Sequence, residues 1–515
     1  MKRNIQKEFH KNKSYFYFGT LISILTLLPQ LLFSPNPTHS LLLIITFILL
    51  VTIPKFSKIL FSIFIIFINL SNILIGHIAL HWGYGLPDIK PRIEVAFLSP
   101  VYEANEYITN YIDYRDYGLI SFSFFVLFLL YTFLKHFTHS YKTFKTIGLG
   151  VFTFVLLAVS FYKNPIKEIE PFSVPTKCYV VLNAKYQEDE IWKSREKYIS
   201  QIKVVKADKK NLIYDKIIVI MGESANKHHM SLYGYNAATT PFLTSLQKSN
   251  QLYVFNAIAP TNQTRYSIPI DLTDANVHNY EDRFFHSCSS LTNFKNNQYE
   301  TYWISNQGRV GKHDSSISSM AYEANTTFFA NLNYLKAKED DVILDYLNKL
   351  QTNSKKEMYL LHIMGSHSDY IKRYKEETAL YKNTNNIVEQ YDNSIHYTDY
   401  ILSQIYNRFK NEKLLLIYLS DHGEIINLEN NGHGFLPPYK DEYTVPFVIY
   451  SNVKNPRLDE IYRDNKKGYF NLENFNSIVE YISGINNEKK ISFSNQVMAV
   501  EPSNIYDFDK LEFYK

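Results

Sequence analysis

The sequence predicts an N-terminal domain of five transmembrane helices followed by a C-terminal α/β domain with a mostly parallel central sheet. Apolar runs long enough to cross a bilayer are concentrated in the first third of the 515-residue chain. From residue 212 onward, short β-rich runs alternate with helical patterns, which is typical of one sheet covered by helices on both faces. The predicted helices include 341–351, 388–409 and 472–483. The run IIVIM at 217–221 is apolar throughout, as expected for a buried parallel strand.

The predicted membrane domain comprises residues 1–163. Its run at 41–53 reaches the length of a span, about 20 residues, only when its flanks are included. Lysine and arginine residues precede the first span and recur in alternate loops, which places the N-terminus in the cytoplasm. The basic loops alternate correctly only with five spans, which put the C-terminal domain outside the membrane; four would make it cytoplasmic. The predicted spans are 15–34, 36–54, 59–80, 117–135 and 146–163.

Residues 164–211 form a predicted linker, whose second half has the pattern of an amphipathic helix. Such a helix could lie in the membrane interface and hold the domain against the bilayer. It could equally be a plain connector packed on the domain, and the sequence does not decide between the two. Its apolar side chains are Ile191, Trp192, Tyr198, Ile199 and Ile202.

Composition excludes several classes of protein. The net charge is +4, and basic residues do not form a stripe interleaved with aromatics, so nucleic-acid binding is not indicated. The chain has two cysteines, Cys178 and Cys288, which excludes a disulfide framework and a cysteine-based zinc site. One bridge between them or two separate thiols both fit the sequence.

The predicted C-terminal domain, residues 212–515, carries acidic and histidine side chains where its predicted strands end. Ligands of open α/β sheets bind beyond the carboxyl ends of the strands, so these groups are expected to meet at one site. A single such histidine is more often a packed residue, but the combination favours a metal site. Oxygen and imidazole ligands without thiolate suit Zn²⁺ or Mn²⁺. The side chains are Glu223, His362, His367, Asp421, His422 and His433.

A hydrolytic or transfer site also needs a nucleophile, and Thr264 is the candidate. It stands just before a predicted helix start, where free backbone N–H groups and the helix dipole favour an anion such as phosphate. Metal coordination lowers the pKa of a hydroxyl, so that no separate base is required. Thr261 and Ser267 are rival hydroxyls in the same loop.

At the level of motifs, the chain resembles the phosphoethanolamine transferases of the alkaline phosphatase/sulfatase superfamily. The motifs are GES, HMSLYGY, TTPFL, TRYSIP, LHIMGSH, YDNSIHYTDYIL, SDHGE and NNGHGF, in that order. The resemblance implies a membrane-anchored enzyme with a sulfatase-like periplasmic domain in the bacterial inner membrane. It also implies transfer of phosphoethanolamine from phosphatidylethanolamine, through a covalent intermediate on a metal-bound threonine, to an outer-leaflet glycolipid such as lipopolysaccharide.

When the family's motifs are matched to this sequence, the resemblance implies that the zinc ligands are Glu223, Asp421, His422 and the nucleophile Thr264. Thr264 lies five residues before Pro269, as in the family pattern T-x-x-S-x-P. The resemblance further implies that three histidines hold phosphate oxygens or a second metal, or protonate the leaving group. These are His362, His367 and His433. Asn306 is expected to contact the phosphoethanolamine group.

The chain departs from the family pattern at two places. Asn226 and Lys227 stand where many relatives have an arginine, and Gln263 and Ile270 flank the nucleophile where members acting on lipid A have a cysteine. The second departure favours the branch that modifies lipopolysaccharide core sugars, or periplasmic glucans, over the lipid A branch.

Four other functions compete with this reading. A phosphoglycerol transferase of the lipoteichoic acid synthase kind shares the topology and the threonine nucleophile, but the motifs GSH and QYDNSIHYTD favour the ethanolamine enzyme. A sulfatase is disfavoured because neither cysteine lies in the Cys-x-Pro-x-Arg context that formylglycine formation requires. A membrane sensor that only binds a phospholipid head would not need Thr264. A transporter is disfavoured because the spans contain almost no charge.

Overall fold

The computed structural model describes the C-terminal domain and part of the linker. The described residues are 206–308, 316–331, 339–352, 354–428, 431–465, 468–491 and 494–515, together with Ser121, Phe125, Lys193 and 196–202. Apart from Ser121 and Phe125, the five predicted spans lie outside these residues. Within the part of the chain that is described, no helix combines the length and the apolar character that a membrane crossing requires.

A central sheet of eight strands organises the domain, in the order β10-β2-β9-β6-β1-β5-β3-β4. All neighbouring pairs are parallel except those of β9, which runs antiparallel to both β2 and β6. The mostly parallel sheet predicted from the sequence is therefore confirmed. The strands are β1 Lys216–Gly222, β2 Leu252–Ile258, β3 Glu300–Gly308, β4 Thr326–Asn331, β5 Glu357–His362, β6 Leu414–Ser420, β9 Thr444–Ser451 and β10 Phe470–Asn471. Four short strands form two separate hairpins: β7 Ile425–Ile426 with β8 Asn431–Gly432, and β11 Gln496–Met498 with β12 Ile505–Asp507.

Helices accompany the sheet, as the alternating pattern predicts. The predicted helices at 341–351, 388–409 and 472–483 correspond to α6, α7 and α9, the last of these being preceded by a 3-10 turn over Leu472–Asn474. The described helices of the domain are α1 Pro241–Lys248, α2 Thr264–Leu272, α3 Tyr280–Arg283, α4 Ser290–Asn296, α5 Ser316–Ala321, α6 Asp341–Lys349, α7 Ile387–Phe409, α8 Pro456–Asn465 and α9 Phe475–Ser483.

Strand β1 explains why the core has two halves. Side chains alternate between the two faces of a strand, so Ile217 and Val219 enter one apolar cluster while Ile218 and Ile220 enter the other. All four are completely buried. A strand covered on both faces must be apolar throughout, which is why the run at 217–221 has no polar alternation.

The register of the sheet brings the ends of three strands to one level. Met221 of β1 pairs with His362 of β5, and Gly222 pairs with Ser420 of β6. Ser305 of β3 is in turn opposite His362. The residues that directly follow β1 and β6 therefore lie beside the end of β5, at the carboxyl edge of the sheet.

The described part of the linker is helical at residues 196–201. Tyr198 packs edge-on against His286, with ring centroids 5.3 Å apart, which is the kind of contact that a connector packed on the domain makes. Cys288 forms no disulfide with any described residue, and its Sγ donates to Asn293 Oδ1 at 3.2 Å. Cys178, the other cysteine, lies outside the described residues, so that a bridge and two separate thiols both still fit the chain.

Candidate active site

Glu223, directly after β1, occupies the centre of the site. Its side chain is buried, and its backbone carbonyl accepts a hydrogen bond from Ser366 N at 2.9 Å. The loop after β5 approaches so closely because Gly365 has no side chain and a φ of +51°. A Cβ at Gly365 would lie 2.9 Å from both the backbone N and O of Glu223. The GSH motif and the GES motif are thus packed backbone against backbone.

Thr264 is the first residue of α2, and its hydroxyl faces Glu223. Its Oγ1 lies 3.2 Å from both Oε1 and Oε2 of Glu223 and 3.1 Å from Nε2 of His422. The two rival hydroxyls of the same loop, Thr261 and Ser267, are fully buried and bonded to each other at 2.9 Å. The structure therefore brings Thr264, and not its rivals, against the acidic groups.

Asp421 and His422 complete this group from the end of β6. Asp421 Oδ1 accepts hydrogen bonds from His422 N at 2.8 Å and from Ser224 N at 3.2 Å. Its Oδ2 lies 3.4 Å from His422 Nε2 and, among the described residues, has no hydrogen-bond partner although it is buried. His422 Nε2 is also 3.2 Å from Glu223 Oε1.

The turn after His422 is fixed by Gly423. Its N–H donates to Glu442 O at 2.7 Å, and a Cβ at this position would lie only 2.1 Å from Asp441 O. Because that atom is backbone, it cannot swing aside.

Gly423→Ala is therefore expected to displace Asp421 and His422 and to lower the thermal unfolding temperature by several degrees, with a loss of metal binding. Gly468→Ala is the matched control, because a Cβ at Gly468 would meet nothing within 4 Å. Equal unfolding temperatures for the two variants, measured by circular dichroism, would contradict the assignment of this close contact.

The charges of the group shift one another's pKa values. Burial alone would raise the pKa of Glu223, but the hydrogen bond and charge of His422 outweigh burial and hold this pKa well below its usual range. Burial and the charge of Glu223 raise the pKa of Asp421 to about 7. Burial opposes protonation of His422, yet Asp421 and Glu223 raise its pKa to about 10. The space between the three side chains thus favours a positive charge.

The tautomer of His422 leads to the same conclusion. Its Nδ1 lies 2.9 Å from Gly423 O, and since a carbonyl oxygen only accepts, Nδ1 must carry the hydrogen. In the neutral ring, the Nε2 lone pair then faces oxygens of Glu223 and Asp421. This is unfavourable unless a proton or a metal ion lies between them.

Glu223, Asp421 and His422 can each offer a ligand atom, all within 4.8 Å of one another. With the orphan oxygen of Asp421 and the hydroxyl of Thr264, the set is three oxygens and one imidazole nitrogen, which suits Zn²⁺ or Mn²⁺. The residues therefore fit the metal that the sequence predicts. A second group with the same property is His422, Glu424 and His433.

Gln307 is a member of the site that the sequence analysis missed. Its Nε2 donates to Glu223 Oε2 at 2.8 Å and lies 3.3 Å from Ile363 O, so it fixes the orientation of the carboxylate. The prediction from the sequence names its neighbour Asn306 instead. Adjacent side chains of an extended strand point to opposite sides, which would have been the signal that only one of the two could face the site.

Replacing Gln307 by alanine is expected to lower metal affinity and activity by about 10- to 100-fold, the usual effect of losing a partner that orients a metal ligand. Metal titration of the purified variant measures this. Gln404→Ala, on α7, serves as the control. If the Gln307 variant keeps the affinity of the unchanged protein, the orienting role is wrong.

Asn306 is fully buried, and its Nδ2 donates to Asp340 Oδ1 at 2.8 Å. Asp340 also accepts from the backbone N–H groups of Met364 and Gly365, at 2.8 and 2.9 Å. Through Asp340, Asn306 thus helps to hold the loop that carries the GSH motif. Its predicted contact to phosphoethanolamine stays a prediction.

The three remaining histidines differ in their surroundings. His362 is buried at the end of β5, with Nδ1 3.3 Å from Ser305 Oγ. His367 follows in the next loop. Burial is the largest influence on both and lowers each pKa to about 4, so both rings are neutral at neutral pH.

His433 reaches the site from the hairpin β7–β8. Its ring centroid lies 4.0 Å from that of His422, and its Nδ1 is 2.6 Å from Glu424 Oε2. Glu424 is fully buried and also accepts from Tyr370 OH at 2.7 Å. This pairing fixes the ring and leaves Nε2 available for chemistry.

Comparison with known proteins gives the class to which this fold and site belong. The family model described as Sulfatase matches residues 215–485, more than half of the chain. The chain therefore belongs to the sulfatase family, which confirms the superfamily inferred from the motifs. This membership describes the domain and does not imply hydrolysis of sulfate esters.

Among curated relatives, the chain is 30% identical over 263 residues to the putative transferase YhbX of Escherichia coli K12, covering 49% of this chain and 46% of that protein. It is 28% identical over 263 residues to the phosphoethanolamine transferase EptC of the same strain, covering 46% and 45%. The chain thus matches about half the length of these relatives. Their names agree with the resemblance that the motifs indicate.

Solved structures share the fold. The C-terminal periplasmic domain of EptC from Escherichia coli, in complex with Zn, aligns with a TM-score of 0.51 at 21% identity, covering 60% of this chain and 97% of that one. The integral membrane lipooligosaccharide phosphoethanolamine transferase A from Neisseria meningitidis aligns with a TM-score of 0.61 at 16% identity, covering 91% and 95%.

Proposed function

We propose that this protein transfers phosphoethanolamine from phosphatidylethanolamine to a glycolipid of the outer leaflet, through a covalent phospho-Thr264 intermediate. The observation that carries the proposal is the position of Thr264 Oγ1, within 3.2 Å of Glu223 and His422 and at the start of a helix. The names of the relatives, EptC among them, supply the group that is transferred. Of the acceptors, lipopolysaccharide core sugars or periplasmic glucans are favoured over lipid A, because no cysteine flanks the nucleophile.

In this proposal Zn²⁺ is the resident metal, with Mn²⁺ the alternative. Glu223, Asp421, His422 and Thr264 would hold it. A divalent cation there lowers the pKa of the threonine hydroxyl and offsets negative charge on the phosphoryl group. The complex of the EptC domain with Zn supports the choice of zinc.

In the first half-reaction the Thr264 hydroxyl gives its proton to solvent water, Thr264 Oγ1 forms a bond to phosphorus, and the bond from phosphorus to the diacylglycerol oxygen breaks. That oxygen must take up a proton. His362 and His367 do not supply this proton, because their pKa values lie near 4 and both rings are neutral at neutral pH. We assign this proton to His433, whose ring is held 4.0 Å from that of His422 by the pairing of its Nδ1 with the buried Glu424.

The second half-reaction reverses this chemistry on the acceptor. An acceptor hydroxyl gives its proton to His433 and attacks phosphorus, the bond to Thr264 breaks, and Thr264 Oγ1 takes a proton back from solvent water. His362 and His367, being neutral, can donate hydrogen bonds to phosphoryl oxygens in both steps.

The proposal places the protein in a bacterial inner membrane, with the N-terminus cytoplasmic and the catalytic domain periplasmic. Both substrates are then within reach of the domain, since donor and acceptor lipids lie in the adjoining membrane leaflet. The five predicted spans, the linker at 164–211 and the domain at 212–515 are part of this proposal.

Mass spectrometry of the cell's glycolipids, with and without the protein, tests the function. Expression is expected to add the mass of phosphoethanolamine to one acceptor. A gain corresponding to phosphoglycerol would instead identify the lipoteichoic acid synthase type of reaction. No gain on any envelope glycolipid, with the protein folded and loaded with metal, would contradict the proposal.

A further inference from the structure

Asp271 has no part in the chemistry above, yet it is the only carboxylate among the described residues whose two oxygens are both buried without a hydrogen-bond partner. It is 0% exposed, and neither of its oxygens has a hydrogen-bond partner among the described residues. It lies in α2, seven residues after Thr264, so that the two are separated by about two helical turns along one side of the helix. An isolated carboxylate buried in this way is costly unless something compensates it.

The charges that act on Asp271 do not compensate it. They come from Asp421 and Glu473, and both are negative. Together with burial they raise the pKa of Asp271 well above its usual range. A proton on one oxygen would remove the charge but would itself need an acceptor. The surroundings therefore call for a positive charge that the described side chains do not supply.

The segment that faces Asp271 carries two more oxygens of the same kind. Helix α2 packs against the 3-10 turn Leu472–Asn474 and against α9. Glu473 Oε2 and Asn476 Oδ1 are buried there and accept no hydrogen bond from any described residue. Asn476 is 1% exposed, and its amide group donates to Asp274 Oδ1 at 3.1 Å.

The residues have the same spacing on the two segments. Asp271 and Asp274 are three apart on one segment, as Glu473 and Asn476 are on the other. The hydrogen bond from Asn476 to Asp274 joins the two segments at one end, and the negative charge of Glu473 acts on Asp271. Four acceptor oxygens, two from Asp271 and one each from Glu473 and Asn476, thus belong to two segments in contact.

We propose that Asp271, Glu473 and Asn476 bind a hard divalent cation, Ca²⁺ by preference, between the nucleophile helix and α9. All the offered atoms are carboxylate or amide oxygens, which are the ligands that Ca²⁺ takes, whereas nitrogen or sulfur ligands would favour zinc. Two carboxylates balance the charge of one such ion. The same signature, a buried carboxylate oxygen without a donor, marks Asp421 in the active site.

Equilibrium dialysis of the full-length, zinc-loaded protein against radioactive Ca²⁺ tests the site. One Ca²⁺ per chain is expected for the unchanged protein, and none for Asp271→Asn. Glu480→Gln is the matched control: Glu480 is a buried acid on α9, but its Oε1 accepts from Asn293, so this variant should still bind one ion. Added CaCl₂ should raise the unfolding temperature of the unchanged protein by several degrees and that of Asp271→Asn not at all.

Two further variants keep the test decisive. If Asp271→Asn does not fold, Asn476→Ala, which removes one neutral ligand, is expected to weaken Ca²⁺ binding about tenfold, as loss of about 1.4 kcal/mol does. Asp421→Asn is expected to leave Ca²⁺ binding intact, since it belongs to the other centre. Absence of Ca²⁺ binding in the unchanged protein, or equal binding by it and by the Asp271 or Asn476 variant, would overturn the proposal. None of these outcomes depends on the transferase activity.

Discussion

Thr264→Ala is expected to abolish phosphoethanolamine transfer, with a fall in rate of at least about 10³-fold, because loss of a nucleophile removes the reaction path and not merely one contact. The change should leave the fold intact, since the Thr264 side chain is only partly buried and its contacts are to the site. Transfer from a fluorescent phosphatidylethanolamine measures the rate. Mass spectrometry of the unchanged protein incubated with the donor alone should show one added phosphoethanolamine, on the peptide that contains Thr264.

The control for this experiment is Thr261→Ala, the nearby hydroxyl that bonds to Ser267. It is expected to retain transfer and adduct formation. A Thr264→Ala protein that still forms the adduct would show that another residue is the nucleophile. If cells that express the Thr264→Ala variant show the same function as cells with the unchanged protein, the alternative of a non-enzymatic, lipid-binding sensor would be favoured.

Removal of the metal is expected to have an effect of similar size. Dialysis against a strong chelator should reduce transfer to background, and added Zn²⁺ should restore it. The unfolding temperature should fall as well, because an ion present at 100 times its dissociation constant contributes about 2.7 kcal/mol to the stability of the folded state. Without the ion, buried oxygens of Glu223 and Asp421 are left 3.2 and 3.4 Å from His422 Nε2, with no metal charge to offset the charge of the two carboxylates.

Asp421→Asn should reproduce this loss by removing the ligand whose Oδ2 has no described partner. Elemental analysis of the purified variant measures the bound metal. Asp399→Asn is a suitable control, because Asp399 is equally buried but accepts its hydrogen bonds from the backbone of Phe242 and Leu243. A variant at Asp421 that keeps its full complement of zinc would contradict the proposed ligand set.

Much of this site could be predicted because its residues follow strands. Glu223 and Asp421 stand directly after the apolar runs that form β1 and β6, and parallel neighbours deliver such residues to one edge. The direction of β9 could not be predicted in the same way. Its residues are almost all buried, and a continuously apolar run has the same pattern in a parallel and in an antiparallel strand.

The supporting residues could not be predicted, for two different reasons. Gln307 belongs to none of the recognised motifs. Its role becomes visible only in the structure, where the end of β3 directs its side chain toward Glu223. Asp271 would ordinarily be taken as an exposed polar residue of a surface helix. Its complete burial depends on the packing of α2 against the segment at 472–483, which local sequence does not encode.

The sheet order has a consequence for biogenesis. The neighbours β1, β5 and β6 are adjacent in space but far apart in the chain, so that Thr264 and His422, which touch, are separated by 158 positions. Loop closure over such lengths is slow and comes after local structure. A chain in which β6 has not yet joined the sheet does not bring Asp421 and His422 to the site and cannot hold the complete proposed metal centre. We therefore expect metal capture to be a late event in folding, drawing on the metal supply of the compartment in which the domain folds.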